Sequence, residues 1–198
     1  MAGVFDTLIT QGVRSGQIPA RATSARKWYR EKAQGYGRIS ERALLRDDPD
    51  RLTSIIKPGD MYMFMYDPKF KDTLPFYDRF PLIFPFKVES DRFWGINLHY
   101  LPLPYRAILM DGLYDIVNNT KYDETTRLQL SYKALSGAAK FRYFEPCVKQ
   151  YLFSHLESKF MYVYPSEWDI ALFLPTERFK KQSKTQVYAN SKKMIGAR

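Results

Sequence analysis

The clearest hydrophobic pattern lies in the first half of the chain, where apolar runs of strand length alternate with turn residues. Met61–Tyr66, Phe80–Phe86 and Phe93–Leu101 are rich in Tyr, Phe and Ile, which suit a pleated, half-buried surface. Pro, Gly and Asp residues with turn chemistry separate the runs. The pattern predicts a small, twisted antiparallel sheet or an SH3-like barrel over residues 58–101.

Two residues of the third run carry specific expectations. Gly95 interrupts an otherwise aromatic strand, which predicts a β-bulge or the close approach of another backbone segment. His99 follows in the same aromatic surroundings, where a hydrogen-bonded structural role is more common than a catalytic one. We therefore interpret both residues as parts of the fold.

Helical spacing replaces the strand pattern ahead of this sheet. Apolar residues from Val4 onward predict a short amphipathic helix that is ended by Gly12 and Gly16. Ser24–Gln34 and Ile39–Arg46 predict two further helices, and the first of these is rich in basic residues. The chain ahead of the sheet is therefore predicted to be helical and basic.

Helical spacing returns after the sheet. The pattern predicts helices at about Tyr105–Val117, Glu124–Leu135 and Pro146–Leu156, and a strand at Lys159–Tyr164. The tail beyond Phe179 is polar and basic, so we expect it to be disordered unless a partner or a nucleic acid holds it. The fold class that follows is α+β: a small twisted antiparallel sheet or SH3-like barrel packed by helices, with a basic N-terminal helical arm and a basic C-terminal tail.

The net charge of +10 is concentrated at the two ends of the chain. Residues 1–46 and 177–198 each carry +6, whereas the segment between them carries −2. We therefore predict a basic helical N-terminal arm (1–57), an α+β core (58–176) and a basic C-terminal tail (177–198). Basic ends on a near-neutral body are typical of proteins that bind a phosphate backbone or an acidic protein surface, and a solvated, solubilising surface is the alternative.

Aromatic residues interleave with the basic ones in the second predicted helix. Trp28 and Tyr29 lie among its arginines and lysines, a mixture that can contact phosphates and stack on bases. The alternative is that Trp28 packs on the body while the long basic side chains are solvated. The candidate nucleic-acid-binding residues, taken from charge and aromatic pattern, are Arg21, Arg26, Lys27, Trp28, Arg30, Lys32, Arg38, Lys180, Lys181 and Lys184.

The chain offers little for catalysis or metal binding. Cys147 is the single cysteine, so it forms no disulfide within the chain, and we expect it to be a buried structural thiol. Asp67, Asp72 and Asp78 match no calcium-loop spacing, and two histidines with one cysteine make no usual zinc site. No phosphate-binding glycine loop or serine-hydrolase motif occurs. We therefore expect no enzyme activity, no metal and no cofactor.

Membrane insertion and secretion are not indicated either. No apolar run approaches the roughly 18 residues that a membrane span requires. The N-terminal residues lack a basic segment followed by an apolar one, the pattern of a secretory signal. We therefore expect no membrane partner.

Three stretches resemble a family of small virion proteins from T4-like tailed bacteriophages, the DNA end protector family. They read PGDMYMFMYDPKFKDTLPFYDRFPLIFPF at residues 58–86, FWGINLHYLPLPYRAILMDGLYD at 93–115 and YPSEWDIALFLPTERF at 164–179. The resemblance extends over nearly the whole chain from Phe5 onward. It implies a virion component, assembled in the host cytoplasm, that acts on the ends of packaged linear DNA and shields them from host exonuclease.

Two functions are consistent with these features. The first is a DNA-binding virion protein whose partner is the double-stranded DNA end near the portal or tail. The second is a structural protein of the neck, tail or baseplate whose basic arms grip neighbouring portal, neck or tail subunits. Tyr, Arg and Lys serve both kinds of surface, so the sequence leaves both functions open.

Overall fold

The structure is a computed structural model. It describes residues 3–19, 22–117 and 142–196, and it also describes five single positions between residues 117 and 142. Arg21 and nearly all of the predicted helix at Glu124–Leu135 lie outside the described residues. The described α-helices are α1 (Val4–Arg14), α2 (Thr23–Gln34), α3 (Glu41–Asp47), α4 (Leu103–Val117), α5 (Trp168–Ala171) and α6 (Lys184–Gly196). The described strands are β1 (Leu52–Thr53), β2 (Met61–Met63), β3 (Tyr77–Asp78), β4 (Leu82–Val88), β5 (Arg92–Asn97), β6 (Val148–Leu152), β7 (Phe160–Val163) and β8 (Phe179–Lys180).

Most of the strands form one antiparallel sheet, and the fold class is α+β, as the sequence predicts. Six strands lie in the order β1-β7-β2-β4-β5-β6, and every neighbouring pair is antiparallel. The predicted segments Met61–Tyr66 and Phe80–Phe86 overlap β2 and β4, and neither is helical. Within the described chain, β1 is two residues long and pairs only with β7. The sheet therefore stays open, and the closed barrel that the sequence left as an alternative is not formed.

The sheet is strongly curled toward one of its faces. Phe93 on β5 and Phe160 on β7 are three strand spacings apart, about 14 Å in a flat sheet, yet their ring centroids lie 5.6 Å apart. Phe64 packs edge-on against both rings, at centroid distances of 5.8 and 5.0 Å. A β-bulge in β4, between Pro85 and Lys87, adds local twist. The curl produces a concave, aromatic core on this face.

The opposite face of the sheet carries the larger core. Met161 and Val163 of β7 belong to this core, while Phe160 and Tyr162 belong to the concave one, which is the alternation predicted for this strand. All six described α-helices contribute to the larger core, α3 through Leu44. Their buried residues there include Phe5, Leu8, Tyr29, Ala33, Leu109, Met110, Leu113, Trp168, Ile170 and Val187.

The predicted helix at Pro146–Leu156 is wrong, because the middle of this segment is strand β6. The strand pairs with β5 over five residues, and the ring of Tyr151 stacks on Phe93 at a centroid distance of 5.2 Å. Val148, Tyr151 and Leu152 do repeat with helical spacing. A short isolated helix is marginal, however, and the open edge of β5 offers this segment backbone partners and ring contacts instead.

Two glycines lie where another group approaches closely. A Cβ atom on Gly95 would lie 3.1 Å from the carbonyl oxygen of Phe84, opposite the bulge in β4, which confirms the expectation for this position. Gly12 does not end α1 as predicted, because the helix continues beyond it. The hydroxyl group of Tyr29 occupies the space that a side chain at Gly12 would fill, so Gly12 allows α1 and α2 to pack closely.

The two basic ends of the chain pack on the body. The tail, expected to be disordered when no partner holds it, contains β8 and α6, and Val187 and Ile195 are buried. The hydroxyl group of Ser191 donates a hydrogen bond to the carbonyl oxygen of Tyr100 at 2.7 Å. The body of the same chain therefore orders the tail, because α6 supplies apolar residues that the weak sequence pattern concealed. The predicted boundaries between arm, core and tail stay predictions.

Candidate nucleic-acid interface

The arginines of the predicted cluster on α2 face the protein interior. Arg26 contacts Asp169 through Nε at 2.8 Å and Asp111 through Nη2 at 2.8 Å. Arg30 contacts the same two carboxylates at 2.6 and 2.8 Å. The side chains of Arg26 and Arg30 are 5% and 15% exposed, respectively. These contacts join α2 to α4 and α5, so the two arginines cross-link the fold.

The other members of the α2 cluster are more exposed. The Lys27 side chain is 77% exposed and lies 3.9 Å from Glu31. Lys32 is exposed, and its ammonium group lies 5.6 Å from the ring centroid of Trp28. Trp28 is half-buried and packs edge-on against Tyr29. A DNA-binding role for these residues stays a prediction.

A basic cleft of about 980 Å³ lies elsewhere, between the segment that leads into α3 and the segment that leads into α6. Its basic lining residues are Arg38, Arg42, Arg79, Arg178, Lys180 and Lys184. Glu41 and Glu177 are its acidic lining residues. The structure therefore brings Arg38 together with Lys180 and Lys184, three predicted residues from opposite ends of the chain. Lys181 turns away, because its ammonium group donates to the carbonyl oxygens of Asp72 and Leu74.

Arg178 holds the two sides of the basic cleft together. Its guanidinium contacts Glu41 of α3 through Nε at 3.0 Å and also donates to the carbonyl oxygen of Ile39. Its backbone N–H donates to Asp78 at 3.1 Å. Burial would raise the pKa of Glu41, but a backbone hydrogen bond and the Arg178 guanidinium lower it on balance. The carboxylate is therefore charged and holds Arg178 as a structural cation.

Glu177, the second acidic residue of the cleft, forms an ion pair with a buried arginine. Burial would raise its pKa, but the guanidinium of Arg106, 2.7 Å away, acts together with further positive charges nearby and a backbone hydrogen bond, and the pKa falls to about 2. Arg106 is fully buried and also donates to the carbonyl oxygens of Leu101 and Leu172, at 2.7 Å each. The contact from Lys184 to Glu177 is longer, at 3.4 Å. Glu177 thus balances a buried charge and does little to neutralise the cleft.

Three exposed cations of the basic cleft have no carboxylate within ion-pair distance among the described residues. They are Arg38, Arg42 and Lys180. Arg79 differs, because it pairs with Glu157. Exposed cations without an ion pair on the wall of a cleft are suited to phosphate oxygens. Sequence reasoning missed Arg42, although it belongs to the basic residues of the N-terminal segment, and it also missed the structural role of Arg178.

A buried Asp–His–Thr chain lies beneath the cleft. His99 Nδ1 lies 2.7 Å from Asp78, and its Nε2 lies 3.1 Å from the hydroxyl group of Thr176. All three residues are at most 3% exposed. The arrangement resembles a hydrolytic triad in connectivity, but a substrate would have no access to the hydroxyl. These hydrogen bonds join β3, the turn that follows β5 and the segment before β8, which confirms His99 as a structural residue.

Two of the three aspartates between β2 and the end of β3 are engaged by side chains of the protein itself. Asp67 pairs with Lys71 at 2.7 Å, and Asp78 is engaged by His99. Among the described residues, no group of three or more His, Cys, Asp or Glu side chains could hold a metal ion. Within the same residues, no helix has both the length and the apolar character that a membrane crossing requires.

Fold and site together define an α+β protein in which an open, curled antiparallel sheet supports a basic cleft. The chain belongs to the phage T4 terminal DNA protecting protein family, whose model matches residues 41–196. The match runs from α3 through α6, and so includes every basic cleft residue from Arg42 onward, whereas α1 and α2 lie outside it. Comparisons with curated proteins and with solved structures gave no match.

Proposed function

We propose that this protein binds the ends of linear double-stranded DNA in a phage particle and shields them from exonuclease. The basic cleft holds the phosphate backbone in this proposal. Membership of the terminal DNA protecting family supports the assignment of DNA ends as the partner. The main observation for the cleft is that Arg38, Arg42 and Lys180 converge on one concave surface, and that none of them has a carboxylate within ion-pair distance among the described residues.

The charge arrangement of the cleft supports a backbone contact. Cationic side chains that neutralise phosphates release counterions, which supplies affinity without sequence preference. A protector of DNA ends needs this property, because it must act on whatever sequence lies at the terminus. Arg178 and Glu41 fix the walls through a charged hydrogen bond, so the exposed cations are presented on an ordered surface.

The proposed protection is by occupancy of the DNA end and involves no chemical step, so the protein acts as a binding protein and not as an enzyme. Its location in this proposal is the virion, near the portal and neck, after assembly in the host cytoplasm. Portal, neck or tail subunits are its protein partners there. The rival function, a neck, tail or baseplate protein that grips its neighbours with the same cations, is an outcome of the test below.

The test is exonuclease digestion of linear duplex DNA in the presence of the full-length protein. We compare wild type with the triple variant Arg38→Ala, Arg42→Ala and Lys180→Ala. The wild type is expected to slow digestion at low salt, and the triple variant to lose most of this protection. In a salt series, loss of three phosphate contacts should reduce the slope of log K against log salt by about 3.

A control variant removes three exposed cations outside the cleft, as many as the cleft variant removes, through Lys159→Ala, Lys192→Ala and Lys193→Ala. It has the same net charge as the cleft variant, so it separates a local contact from a general effect of charge. We expect it to retain most of the protection. Equal digestion with wild type, cleft variant and no protein would reject the DNA-end function and favour the structural one.

A further inference from the structure

A second cavity, of about 490 Å³, lies next to the basic cleft. The two-stranded ribbon of β3 and β8 borders both: Tyr77 and Asp78 of β3 line this cavity, and Phe179 and Lys180 of β8 line the cleft. We call the cavity the aromatic pocket, because its rings are those of Tyr66, Phe70, Phe76, Tyr77, Tyr100 and Tyr151. Its volume falls within the roughly 300–1,000 Å³ that small-molecule sites have.

The aromatic pocket also contains a cation without a counterion. Lys149 of β6 lines the pocket, and its ammonium group lies 4.2 Å from the ring centroid of Tyr100. Among the described residues, no carboxylate lies within ion-pair distance of Lys149. Lys149 is half-buried, and this burial lowers the pKa of its ammonium group. A partly buried, unpaired cation is costly unless an anion joins it, so the pocket is suited to an anionic ligand.

The mouth of the aromatic pocket also combines an aromatic ring with cationic side chains. Phe70 is 63% exposed, although a large apolar ring at such a position gains nothing from water. Lys69, whose ammonium group lies 5.4 Å from the ring centroid of Phe70, also lines the pocket, as does Arg92, which pairs with Asp91. Aromatic walls with a cation inside and cations at the rim match a ligand that has a flat ring and a phosphate group.

We propose that the aromatic pocket binds a single nucleotide, with the base against the rings and the phosphate on Lys149. This inference rests on the proposed function for the source of the nucleotide, which is the last one of a DNA strand whose backbone lies in the adjacent basic cleft. A terminal nucleotide stacks on one side only, so its removal from the duplex costs less than that of an internal one. The pocket thereby distinguishes an end from continuous duplex, which the basic cleft by itself cannot do.

The first test measures binding of deoxyadenosine monophosphate by calorimetry at low salt. Lys149→Met keeps the length of the side chain and removes its charge, and we expect it to weaken binding about tenfold or more. Phe70→Ala removes an exposed ring and should weaken binding several-fold. Because Phe70 lies on the surface, this variant keeps the proposal testable if Lys149→Met fails to fold. Deoxyadenosine should bind wild type and Lys149→Met alike, since it lacks the phosphate.

The cleft variant described above is the matched control, and it should bind deoxyadenosine monophosphate like wild type. The pocket proposal is overturned if wild type fails to bind this nucleotide, if inorganic phosphate binds as tightly, or if Lys149→Met and Phe70→Ala both bind it unchanged. The first and last of these results leave the proposed function intact when linear DNA is still protected. Nucleotide binding without protection of linear DNA would retain the pocket and reject the proposed function.

The second test places a fluorescent adenine analogue at the terminus of a linear duplex. Wild type should change its fluorescence as the base leaves the duplex stack and enters the pocket, and the same analogue at an internal position should not respond. Phe70→Ala should reduce the terminal signal and retain most of the affinity for the duplex. Equal signals from terminal and internal analogues would contradict end recognition by the pocket.

Discussion

The substitution Arg26→Ala distinguishes a structural role of this arginine from a contact with DNA. The sequence predicts a DNA contact, whereas the structure buries this guanidinium between Asp111 and Asp169. Arg26→Ala would remove one partner of the Asp169 carboxylate, whose side chain is 8% exposed. It would also remove the guanidinium that lies 4.0 Å from the ring centroid of Tyr114.

The expected cost follows from these contacts. Removal of one partner from a buried ion pair destabilises a protein by about 3–5 kcal/mol, because the remaining charge is buried without compensation. Arg30 still contacts the other oxygen of Asp169 at 2.6 Å, so we expect the lower end of this range, about 3 kcal/mol. The double variant Arg26→Ala/Arg30→Ala should cost more than either single variant, since Asp169 would then have lost both ion-pair partners.

Urea denaturation measures the effect. The midpoint should fall with an unchanged slope for Arg26→Ala, because stability changes while the area exposed on unfolding does not. Lys27→Ala on the same helix is the control, and its unfolding free energy should change by less than about 0.5 kcal/mol. Arg26→Ala with wild-type stability but lost protection of DNA ends would refute the structural role and restore the contact predicted from sequence.

Three further expectations concern single residues. Gly95→Val should destabilise the fold by about 1–3 kcal/mol, since the new Cβ would meet the Phe84 carbonyl oxygen; an unchanged melting temperature contradicts this. Glu177 has an ordinary pKa of 4.5 and a folded pKa of about 2, so its charge stabilises the fold above pH 4.5, and this stabilisation is lost as the pH falls toward 2. Glu177→Gln should therefore be less stable than wild type by about 3 kcal/mol at neutral pH. This difference in unfolding free energy should disappear as the pH is lowered toward 2, and a difference that does not change with pH would contradict the lowered pKa of Glu177. Burial raises the pKa of Cys147 to about 12, so a thiol reagent at mildly alkaline pH should label it only after denaturation, and rapid labelling of the native protein would count against its burial.

The alternation of residues within the strands was sufficient to predict much of the sheet. Along Phe160–Val163, side chains point alternately to the two cores, and this period of two is a local property of extended backbone. The close approach of another backbone segment at Gly95 could also be predicted locally, since a glycine within an aromatic strand is typical of such a contact. The segment of β6 could not, because Val148, Tyr151 and Leu152 fit a helix until the edge of β5 is present to pair with them.

The sequence also determines how much charge each end carries, but it does not determine where that charge points. Arg26 and Lys27 are neighbours in one basic helix, yet one guanidinium is buried against Asp169 and the other residue is solvated, because a helix turns about 100° per residue and α2 packs by one side only. Arg38 and Lys180 are far apart in the chain, and only the packing of α3 and β8 on the same body places them in one cleft. Composition thus determines a basic protein with an aromatic sheet. Tertiary packing decides which cations become internal cross-links and which stay accessible to a partner, since complete burial of a guanidinium or ammonium group without a carboxylate is too costly.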